Sequence, residues 1–356
     1  MTRRPVPVTV VIVTHNSERH IEAVVSRLIE DPEGPSQVIV VDNASDDRTR
    51  EIVAGFAVDL VESPDNLGFP AGCNLGATKA DQAALVFLNP DTEPHPGWLV
   101  PLLAALEEPG VGAAQPTLDL VDQPGHFFTS HSELTSLGFA WSTDAGQPIP
   151  PAHRGGDVAF PSGAALAIKR ETFEALEGFR PGYFLYLEDV DLGWRLRLRG
   201  LRAVQVPESR VSHDYDFERH ARKMYYLERN RLRMVFANYR PSTLVLLSPA
   251  LLAVELGIVA AAIKNHWFGD KVQGWKDLWR LRHEVAAEAR QTRAQRLVSD
   301  REMIRTMGAE FRGITQISLP PFMGVIDRLM AWYRSLVVAV LGMGRSGGSR
   351  PSPRAR

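Results

Sequence analysis

Three carboxylates stand within four positions of this chain, at Glu188, Asp189 and Asp191, directly after the largely aromatic run of residues 184–187. Like charges this close repel, and burial beside aromatic rings would raise the pKa of a carboxylate that loses its water. A positioned carboxylate can take a proton from a reacting hydroxyl, which is general-base chemistry. A structural alternative exists, because acidic residues favour a first helical turn and Asp191 has the i,i+4 spacing to pair with Arg195. These residues alone leave both interpretations open.

The first half of the chain alternates between short apolar runs and stretches with helical spacing of apolar residues. β-Branched runs of this length are typical of buried parallel strands. Helices are predicted after Asn16, after Ser45 and over residues 71–80, between these runs. Such alternation predicts an α/β fold with a doubly wound, mostly parallel sheet. The predicted strands are residues 8–13, 38–41, 58–61 and 84–88.

Polar side chains follow three of these strands, at the edge where such sheets bind ligands. In doubly wound sheets the ligand lies outside the carboxyl ends of the strands. Polar residues also end strands because they form turns, but three such ends together, with two aspartates, favour a binding site. The residues are Thr14, His15 and Asn16 after the first strand, Asp42 and Asn43 after the second, and Asn89 and Asp91 after the fourth.

The loop after the third strand, residues 66–76, is rich in glycine and asparagine. Glycine allows a ligand to approach the backbone closely, and the amides of Asn66 and Asn74 can hydrogen-bond a base or a ribose. A turn followed by the start of a helix explains the same residues equally well. No Gly-x-Gly-x-x-Gly or Gly-x-x-x-x-Gly-Lys-Ser/Thr motif follows the first strand, which argues against an ordinary dinucleotide or P-loop site.

Composition restricts the class of protein further. The chain has 356 residues, enough for one large α/β domain and an appendage, and its net charge of −2 gives no reason to expect a nucleic-acid partner. The single cysteine, Cys73, excludes an internal disulfide and a cysteine-rich metal site, which fits a reducing compartment. No signal-peptide pattern precedes the first strand. We therefore expect a cytoplasmic location.

An apolar segment, residues 243–263, follows the α/β part and is long enough to cross a bilayer. Pro249 interrupts it, and Glu255 would cost about 2.5–3.5 kcal/mol at the centre of a span. Basic residues flank both sides, so a helix lying in the membrane interface fits better than a span. A second apolar stretch covers residues 330–343. The predicted parts are a domain of residues 1–240, a helical, membrane-associated extension of residues 241–343, and a disordered tail of residues 344–356.

These blocks, in this order, resemble the family 2 glycosyltransferases, inverting enzymes with the A-type fold that use nucleotide-sugar donors. The likeness is strongest to the bacterial rhamnosyltransferase-like branch and covers roughly residues 6–240. Each block is weak alone, whereas the ordered set is specific. The blocks are residues 11–17, 41–47, 66–69, 74–76, 88–91, 162–165, 184–195 and 211–213, with a Tyr-Tyr-x-x-Arg-Asn element at residues 225–230.

The resemblance implies a donor site and a metal site. Asp42 matches the aspartate that reads the nucleobase, Asp91 the last aspartate of a metal-binding Asp-x-Asp motif, and His213 a histidine that completes the metal site in some members. Asn89 stands at the first position of that motif, which leaves one carboxylate fewer for Mn²⁺ or Mg²⁺. A hard cation would stabilise charge on the leaving diphosphate. The implied nucleotide-binding residues are Thr14, His15, Asn16, Asp42, Asn43, Asn66, Gly68, Asn74 and Asn89.

The resemblance also implies the catalytic residues. Asp189 matches the general base, and Glu188 lies beside it. Direct inversion needs one carboxylate to accept the proton of the acceptor hydroxyl, and an aspartate near its ordinary pKa of about 3.9 is ionised at neutral pH. The implied acceptor-binding residues are Gly163, Asp191, Trp194 and Arg195.

The expected reaction moves a sugar from a nucleotide-sugar donor to a polyprenyl-linked or cell-wall glycan at the cytoplasmic, inner face of the cell membrane. Deoxythymidine-diphosphate rhamnose is the favoured donor, with uridine-diphosphate sugars next. Two alternatives stay open. A nucleotidyltransferase lacks support because no glycine-rich triphosphate loop with Lys or Arg follows the first strand. A non-catalytic, membrane-docked nucleotide- or glycan-binding protein has no reason to keep Asp91, Glu188 and Asp189.

Overall fold

The computed structural model describes residues 4–215, 222–309 and 323–343. Within these ranges a large sheet with helices on both faces is followed by a group of helices. The tail predicted to be disordered, residues 344–356, lies outside the described residues. So does part of the basic stretch that precedes the Tyr-Tyr-x-x-Arg-Asn element.

Four parallel strands form the first half of the sheet: β1 (Val6–Thr14), β2 (Pro35–Asn43), β3 (Asp59–Ser63) and β4 (Ala84–Leu88). Their spatial order is β3-β2-β1-β4. All four predicted strands are therefore present. The first two extend beyond the apolar runs, because Val6 pairs with Pro35 at one end and Thr14 pairs with Asp42 at the other. The carboxyl ends of β1, β2 and β4 consequently lie together at one edge.

The second half of the sheet continues from β4 through β11 (Ala165–Lys169), β6 (Val111–Leu120) and β12 (Arg202–His213) to β10 (Gly156–Val158). β6 and β12 are parallel, whereas β11 runs antiparallel between β4 and β6. The prediction of an α/β fold with a doubly wound, mostly parallel sheet is confirmed, with β11 reversed inside it. Short strands complete the set: β5 (Thr92–Pro94), β7 (Phe127–Thr129), β8 (Ser132–Leu134) and β9 (Ala140–Ser142).

The two faces of the sheet are covered because side chains of each strand alternate between them. Val10 and Ile12 pack in the core cluster that contains α1 (Ile21–Glu30), whereas Val11 and Val13 pack with α3 (Phe69–Ala77). A Cβ atom at Gly76 of α3 would lie 2.4 Å from Cγ1 of Val11, so glycine permits this close contact. The other helices of this part are α2 (Thr49–Val53), α4 (Leu99–Leu106), α5 (Arg170–Ala175) and α6 (Glu188–Leu198), with a 3₁₀ turn at Pro181–Tyr183.

The C-terminal part is helical, as predicted. It consists of α7 (Lys223–Asn238), α8 (Pro241–Lys264), α9 (Phe268–Arg280), α10 (Arg282–Gln295), α11 (Asp300–Arg305) and α12 (Met323–Met343). Trp194 of α6 is buried in one core cluster with Leu247 of α8 and Ile304 of α11. The predicted boundary at residue 240 is therefore not a break in the packing. By length and composition, α8 could cross a membrane, and 17% of its most apolar 18-residue stretch is buried in the protein.

Candidate active site

Two adjoining cavities lie at the carboxyl ends of β1, β2 and β4. We name the larger, of about 670 Å³, the strand-end cavity, and the smaller, of about 290 Å³, the carboxylate cavity. Phe69, Asn89 and Leu185 line both, so the two cavities share a boundary. Of the residues predicted from the sequence, Thr14, His15, Asn16, Asn43, Asn66, Gly68, Asn89 and Asp91 line the strand-end cavity, and Asn89, Gly163, Glu188, Asp189 and His213 line the carboxylate cavity.

Hydrogen bonds between the turns after β1 and β2 fix one wall of the strand-end cavity. His15 Nδ1 lies 2.9 Å from the carbonyl oxygen of Asn43, whose Nδ2 donates to the carbonyl of Gly68 at 3.0 Å. Asn16 adopts a φ of 53°, and its Oδ1 accepts from the backbone N–H of Asp46 at 2.8 Å. Asparagine tolerates this left-handed conformation better than most residues. The turns therefore bring polar groups from two strands to one place.

Two of the predicted nucleotide-binding side chains line neither cavity. Asp42 is fully buried and accepts a hydrogen bond from the backbone N–H of Ser45 at 3.1 Å, which closes the turn after β2. The amide of Asn74 donates to the carbonyl of Phe179 at 2.7 Å and accepts from its N–H at 2.9 Å. In this structure both side chains hydrogen-bond within the fold and neither lines the strand-end cavity. Asn43, next to Asp42, lines the strand-end cavity instead.

Asp91 and His213 meet across the boundary between the two halves of the sheet. His213 ends β12, and its Nε2 lies 3.2 Å from Oδ1 of Asp91, which follows β4. The backbone also joins the two segments, since the N–H of Asp214 donates to the carbonyl of Asp91 at 2.9 Å. His213 is buried, and its Nδ1 has no hydrogen-bond partner among the described residues. The predicted pair is thus assembled.

The donor set at this pair fits part of the shell of a hard cation. Two neighbouring ligands of an octahedral ion at about 2.1 Å lie about 3 Å apart, close to the separation of Asp91 Oδ1 and His213 Nε2. Across residues 4–215, 222–309 and 323–343, no three His, Cys, Asp or Glu side chains come close enough to hold a metal ion. Mg²⁺ usually takes only one or two carboxylates and completes its shell with phosphate oxygens and water. Asp91 and His213 would therefore supply two positions of such a shell.

Glu188 and Asp189 begin α6 and line the carboxylate cavity. The two carboxylate oxygens of Asp189 each accept a backbone N–H at 2.8 Å, one from Gly163 and one from Val190. Glu188 is more deeply buried, and its Oε2 has no hydrogen-bond partner in the part of the chain that the structure describes. A Cβ atom at Gly163 would lie 3.4 Å from Oδ2 of Asp189, an ordinary van der Waals contact, so the backbone at Gly163 packs directly against this carboxylate.

The environment separates the proton affinities of the two carboxylates. Burial, reinforced by the neighbouring charge of Asp189, raises the pKa of Glu188 to about 8. Burial also raises the pKa of Asp189, while the N–H groups of Gly163 and Val190 lower it by favouring the charged form. With its pKa raised to about 8, Glu188 favours the protonated form at neutral pH, whereas the two backbone N–H groups favour the charged form of Asp189.

Three of the four predicted acceptor-binding residues lie away from both cavities. Asp191 is fully buried, and its carboxylate accepts from Arg180 at 2.6 Å and from Arg195 at 2.7 Å. Although burial works in the other direction, these two positive charges hold the pKa of Asp191 below its ordinary value. Trp194 is fully buried in the core. Neither Asp191, Trp194 nor Arg195 lines either cavity. Their role is to anchor α6, and Gly163 is the one predicted acceptor residue that lines the carboxylate cavity.

Much of the carboxylate cavity is formed by residues that the sequence did not single out. Ser132, Trp141 and Ser142 come from the hairpin of β8 and β9, and Phe160 lies beside them. Gln115 also lines the cavity, and its side-chain carbonyl accepts from the N–H of residue 162 at 2.7 Å. Hydroxyl groups and aromatic faces suit a sugar ring, which has polar edges and apolar faces. In the sequence, these short polar strands look like any surface hairpin, because only chain pairing brings them to the site.

Comparison with known proteins agrees with this geometry. The model of "Glycosyl transferase family 2" matches residues 9–177. One relative is the N-acetylglucosaminyl-diphospho-decaprenol L-rhamnosyltransferase of Mycobacterium tuberculosis (strain ATCC 25618 / H37Rv). The alignment is 31% identical over 233 residues, and the match covers 57% of this chain and 75% of that protein.

Two solved structures share the fold. GalNAc-T7, solved with UDP, GalNAc and Mn²⁺, aligns with a TM-score of 0.55 and 19% identity over 66% of this chain and 48% of its own. Residues 1–349 of Staphylococcus aureus TarS align with a TM-score of 0.52 and 14% identity over 96% of this chain and 93% of that one. At this identity the likeness concerns the fold alone.

The family match and the fold together define a glycosyltransferase of the A-type fold. The chain belongs to glycosyltransferase family 2.

Proposed function

We propose that this glycosyltransferase moves rhamnose from deoxythymidine-diphosphate rhamnose to a polyprenyl-linked or other cell-envelope glycan. The observation that carries the proposal is the meeting of the two cavities at Asn89 and Leu185, with Glu188 and Asp189 on one side of that boundary. The strand-end cavity has the volume of a typical small-molecule site. The choice of sugar and of a lipid-linked acceptor is supported by the mycobacterial relative, an N-acetylglucosaminyl-diphospho-decaprenol L-rhamnosyltransferase.

The donor nucleotide occupies the strand-end cavity in this proposal. Its base and ribose lie against the turns after β1 and β2, and its diphosphate lies near Asp91, so that the sugar reaches the boundary at Asn89. The acceptor glycan enters the carboxylate cavity, between the β8–β9 hairpin and the start of α6. The proposed nucleotide-binding residues are Thr14, His15, Asn16, Asn43, Asn66, Gly68 and Asn89, all of which line the strand-end cavity.

Asp189 acts as the general base. Its ionised carboxylate takes the proton of the acceptor hydroxyl as that oxygen forms a bond to C1 of the sugar, and the bond from C1 to the diphosphate oxygen breaks. Glu188, which keeps its proton, places no second negative charge beside the base. The raised pKa of Asp189 makes it a stronger base than a free aspartate, which suits this step. A non-catalytic binding protein would have no use for this buried pair.

Asp91 and His213 are the residues that would hold Mn²⁺ or Mg²⁺ beside the diphosphate. Such an ion, when bound, offsets the charge that develops on the leaving diphosphate. The imidazole of His213 favours Mn²⁺ over Mg²⁺. Asn89, which precedes Asp91 by two positions and lines both cavities, can offer its amide oxygen to the donor or to bound water.

We also propose that the C-terminal helices lie on the cytoplasmic face of the cell membrane. Among the described residues, all large exposed hydrophobic side chains except Leu67 and Val100 lie between Phe236 and Met343. Trp279 is 69% exposed and Trp332 65% exposed. Tryptophan at a protein surface is typical of membrane interfaces, because its ring is apolar and its N–H is polar. The apolar surface of this protein is thus concentrated on one part.

Glu255 favours surface attachment of α8 over a span. Its carboxylate pairs with Arg231 of α7 and lies 2.8 Å from Nζ of Lys271 of α9, both of which are buried. Trp275 Nε1 donates to the same carboxylate at 3.2 Å. The acidic face of α8 is therefore turned to the protein, which removes the cost that Glu255 would have in lipid. The exposed apolar side chains of α8, such as Leu252 and Leu256, meet the bilayer surface in our proposal.

We expect the full chain to bind vesicles that contain anionic lipid, and a Trp279→Glu/Trp332→Glu double variant to bind at least tenfold more weakly. Carboxylates at these exposed positions would have to enter the interface. Val100→Glu is the matched control, because Val100 is 45% exposed on α4, in the sheet domain. Vesicle flotation at low and high salt gives the measurement. Membrane attachment is refuted if the full chain stays soluble at both salt concentrations, or if the control loses binding equally.

The donor is tested by a transfer assay with the purified full chain. We expect transfer of rhamnose from deoxythymidine-diphosphate rhamnose to a polyprenyl diphosphate-linked N-acetylglucosamine, with uridine-diphosphate sugars as weaker donors. Product is followed by mass spectrometry. Transfer from a uridine-diphosphate sugar alone would overturn the rhamnosyl assignment, and release of diphosphate from a nucleoside triphosphate would favour the nucleotidyltransferase alternative.

A further inference from the structure

The segment that leads into α6 has an unusual backbone. Phe184, Tyr186 and Leu187 have φ values of 64°, 67° and 66°. For residues with a side chain, the left-handed region costs about 1–2 kcal/mol each, and it persists only where the surroundings hold it. The three residues directly precede Glu188 and Asp189, so this segment, residues 182–187, decides where the two carboxylates lie.

Helix α7 holds the segment through two buried side chains. Asn230 is fully buried, and its Nδ2 lies 3.1 Å from the carbonyl oxygen of Tyr183, 2.9 Å from that of Leu185 and 2.8 Å from that of Tyr186. Arg229 donates from Nη2 to the carbonyls of residues 182 and 183, at 2.9 and 2.7 Å. Arg229 Nε also donates to Oδ1 of Asn230 at 2.9 Å, which fixes the orientation of the amide. Carbonyl groups that a left-handed turn points inward are thereby satisfied.

The other side of the segment packs against the N-terminus of α3. The carbonyl oxygen of Phe184 accepts from the N–H of Phe69 at 2.9 Å. The ring of Phe184 stacks on the ring of Tyr226, with 5.5 Å between the two centroids. A Cβ atom at Gly68 would lie 2.4 Å from that carbonyl oxygen, so the contact requires glycine. Phe184 and Leu185 line the strand-end cavity, whereas the end of the segment leads into the carboxylate cavity. The contacts with Phe69 and Tyr226 therefore hold the part of the segment that lines the strand-end cavity, and neither contact involves Asn230.

We propose that Asn230 is a positioning residue for the proposed transfer reaction: by binding three carbonyls of the 182–187 segment, it holds Asp189 where the acceptor hydroxyl arrives. The inference rests on the proposed function of Asp189. Asn230 contacts the middle of the segment, whereas Phe69 and Tyr226 hold Phe184, which lines the strand-end cavity. Loss of Asn230 therefore displaces the base more than it disturbs the nucleotide site.

Asn230→Ser is expected to lower kcat for sugar transfer by about 10–100-fold, because a misplacement of about 1 Å can cost that much. The Kd for the nucleotide diphosphate should change by less than about threefold. Backbone amides of the peptide covering residues 182–190 should exchange hydrogen faster than in the wild type. This last readout needs no activity.

Asn238→Ser is the matched control. Asn238 is equally buried on the same helix, but its amide donates to Asp191 at 2.9 Å and does not contact the segment. The control should show a smaller fall in kcat than Asn230→Ser, without faster exchange at residues 182–190. Equal falls in kcat for the two variants, or unchanged exchange in Asn230→Ser, would overturn the inference.

Two further outcomes have clear meanings. If Asn230→Ser does not fold, Arg229→Gln is measured in its place, because it removes the bonds to residues 182 and 183. It should lower kcat and speed exchange in the same direction, and failure to do so overturns the inference. If the wild type transfers sugar and both segment variants keep its kcat, only the positioning role fails. If the wild type transfers no sugar from any nucleotide donor, the proposed function fails, whatever the exchange data show.

Discussion

Asp189→Asn is expected to lower turnover by about 10²–10⁴-fold while nucleotide diphosphate binding stays within about threefold of the wild type. Asparagine keeps the shape of the side chain, and its one amide oxygen can accept from one of the two N–H groups, of Gly163 and Val190, that bind the two carboxylate oxygens of Asp189. It cannot take the proton of the acceptor hydroxyl. Steady-state transfer kinetics and calorimetric nucleotide binding, measured on the same preparation, separate the two effects.

Glu188→Gln is the matched control for this prediction. With a pKa of about 8, Glu188 is protonated at pH 7, and glutamine imitates a neutral carboxylic acid in shape and polarity. Turnover at pH 7 should therefore stay within about fivefold of the wild type. If Glu188→Gln is the inactive variant and Asp189→Asn remains active, the base has been assigned to the wrong neighbour.

Asp91→Ala is expected to abolish the metal-dependent part of nucleotide diphosphate binding without unfolding the protein. Asp91 is one of only two proposed protein ligands, and the remaining one, His213, offers a single imidazole nitrogen. In the wild type, nucleotide with Mn²⁺ should raise the melting temperature by mass action more than nucleotide alone. In Asp91→Ala the two curves should coincide. His213→Ala should weaken metal affinity by about 10–100-fold, a smaller effect.

Asp214→Ala is the control for charge alone. Asp214 is adjacent to His213 in sequence, but its side chain is 51% exposed and faces His20 at 3.8 Å. It should retain the metal-dependent shift. A metal-dependent shift that survives in Asp91→Ala would leave Asp91 and His213 with a purely structural role, since their 3.2 Å contact also joins the segments after β4 and at the end of β12.

The sheet and its functional edge were predictable from the sequence. The β-branched run at residues 8–13 and the apolar run at residues 84–88 favour buried strands, and the polar residues after them must lie at the carboxyl edge. The approximate place of His15, Asn43 and Asp91 in the strand-end cavity follows from that rule. The pairing of Asp91 with His213 required more, because it depends on β12 lying on the far half of the sheet.

Side-chain direction was not predictable from spacing. Asp191 and Arg195 do pair at i,i+4, but the pair lies in the interior with Arg180, which comes from a loop eleven residues earlier in the chain. Trp194 is buried because α8 and α11 cover α6, a contact that no local pattern reveals. In the same way, the partners of Glu255 are on α7 and α9. The sequence shows that a carboxylate in this apolar helix would be costly in lipid, but it does not show the buried cations that pair with it.

The central claim is a direct displacement at C1 with Asp189 as the base. The most direct measurement is the anomeric configuration of the sugar in the first product, determined by NMR from the transfer reaction. The account predicts a configuration opposite to that of the nucleotide-sugar donor, because the acceptor oxygen attacks from the side away from the diphosphate. A product that retains the donor configuration would contradict it, since retention requires a different mechanism from a single displacement with one base.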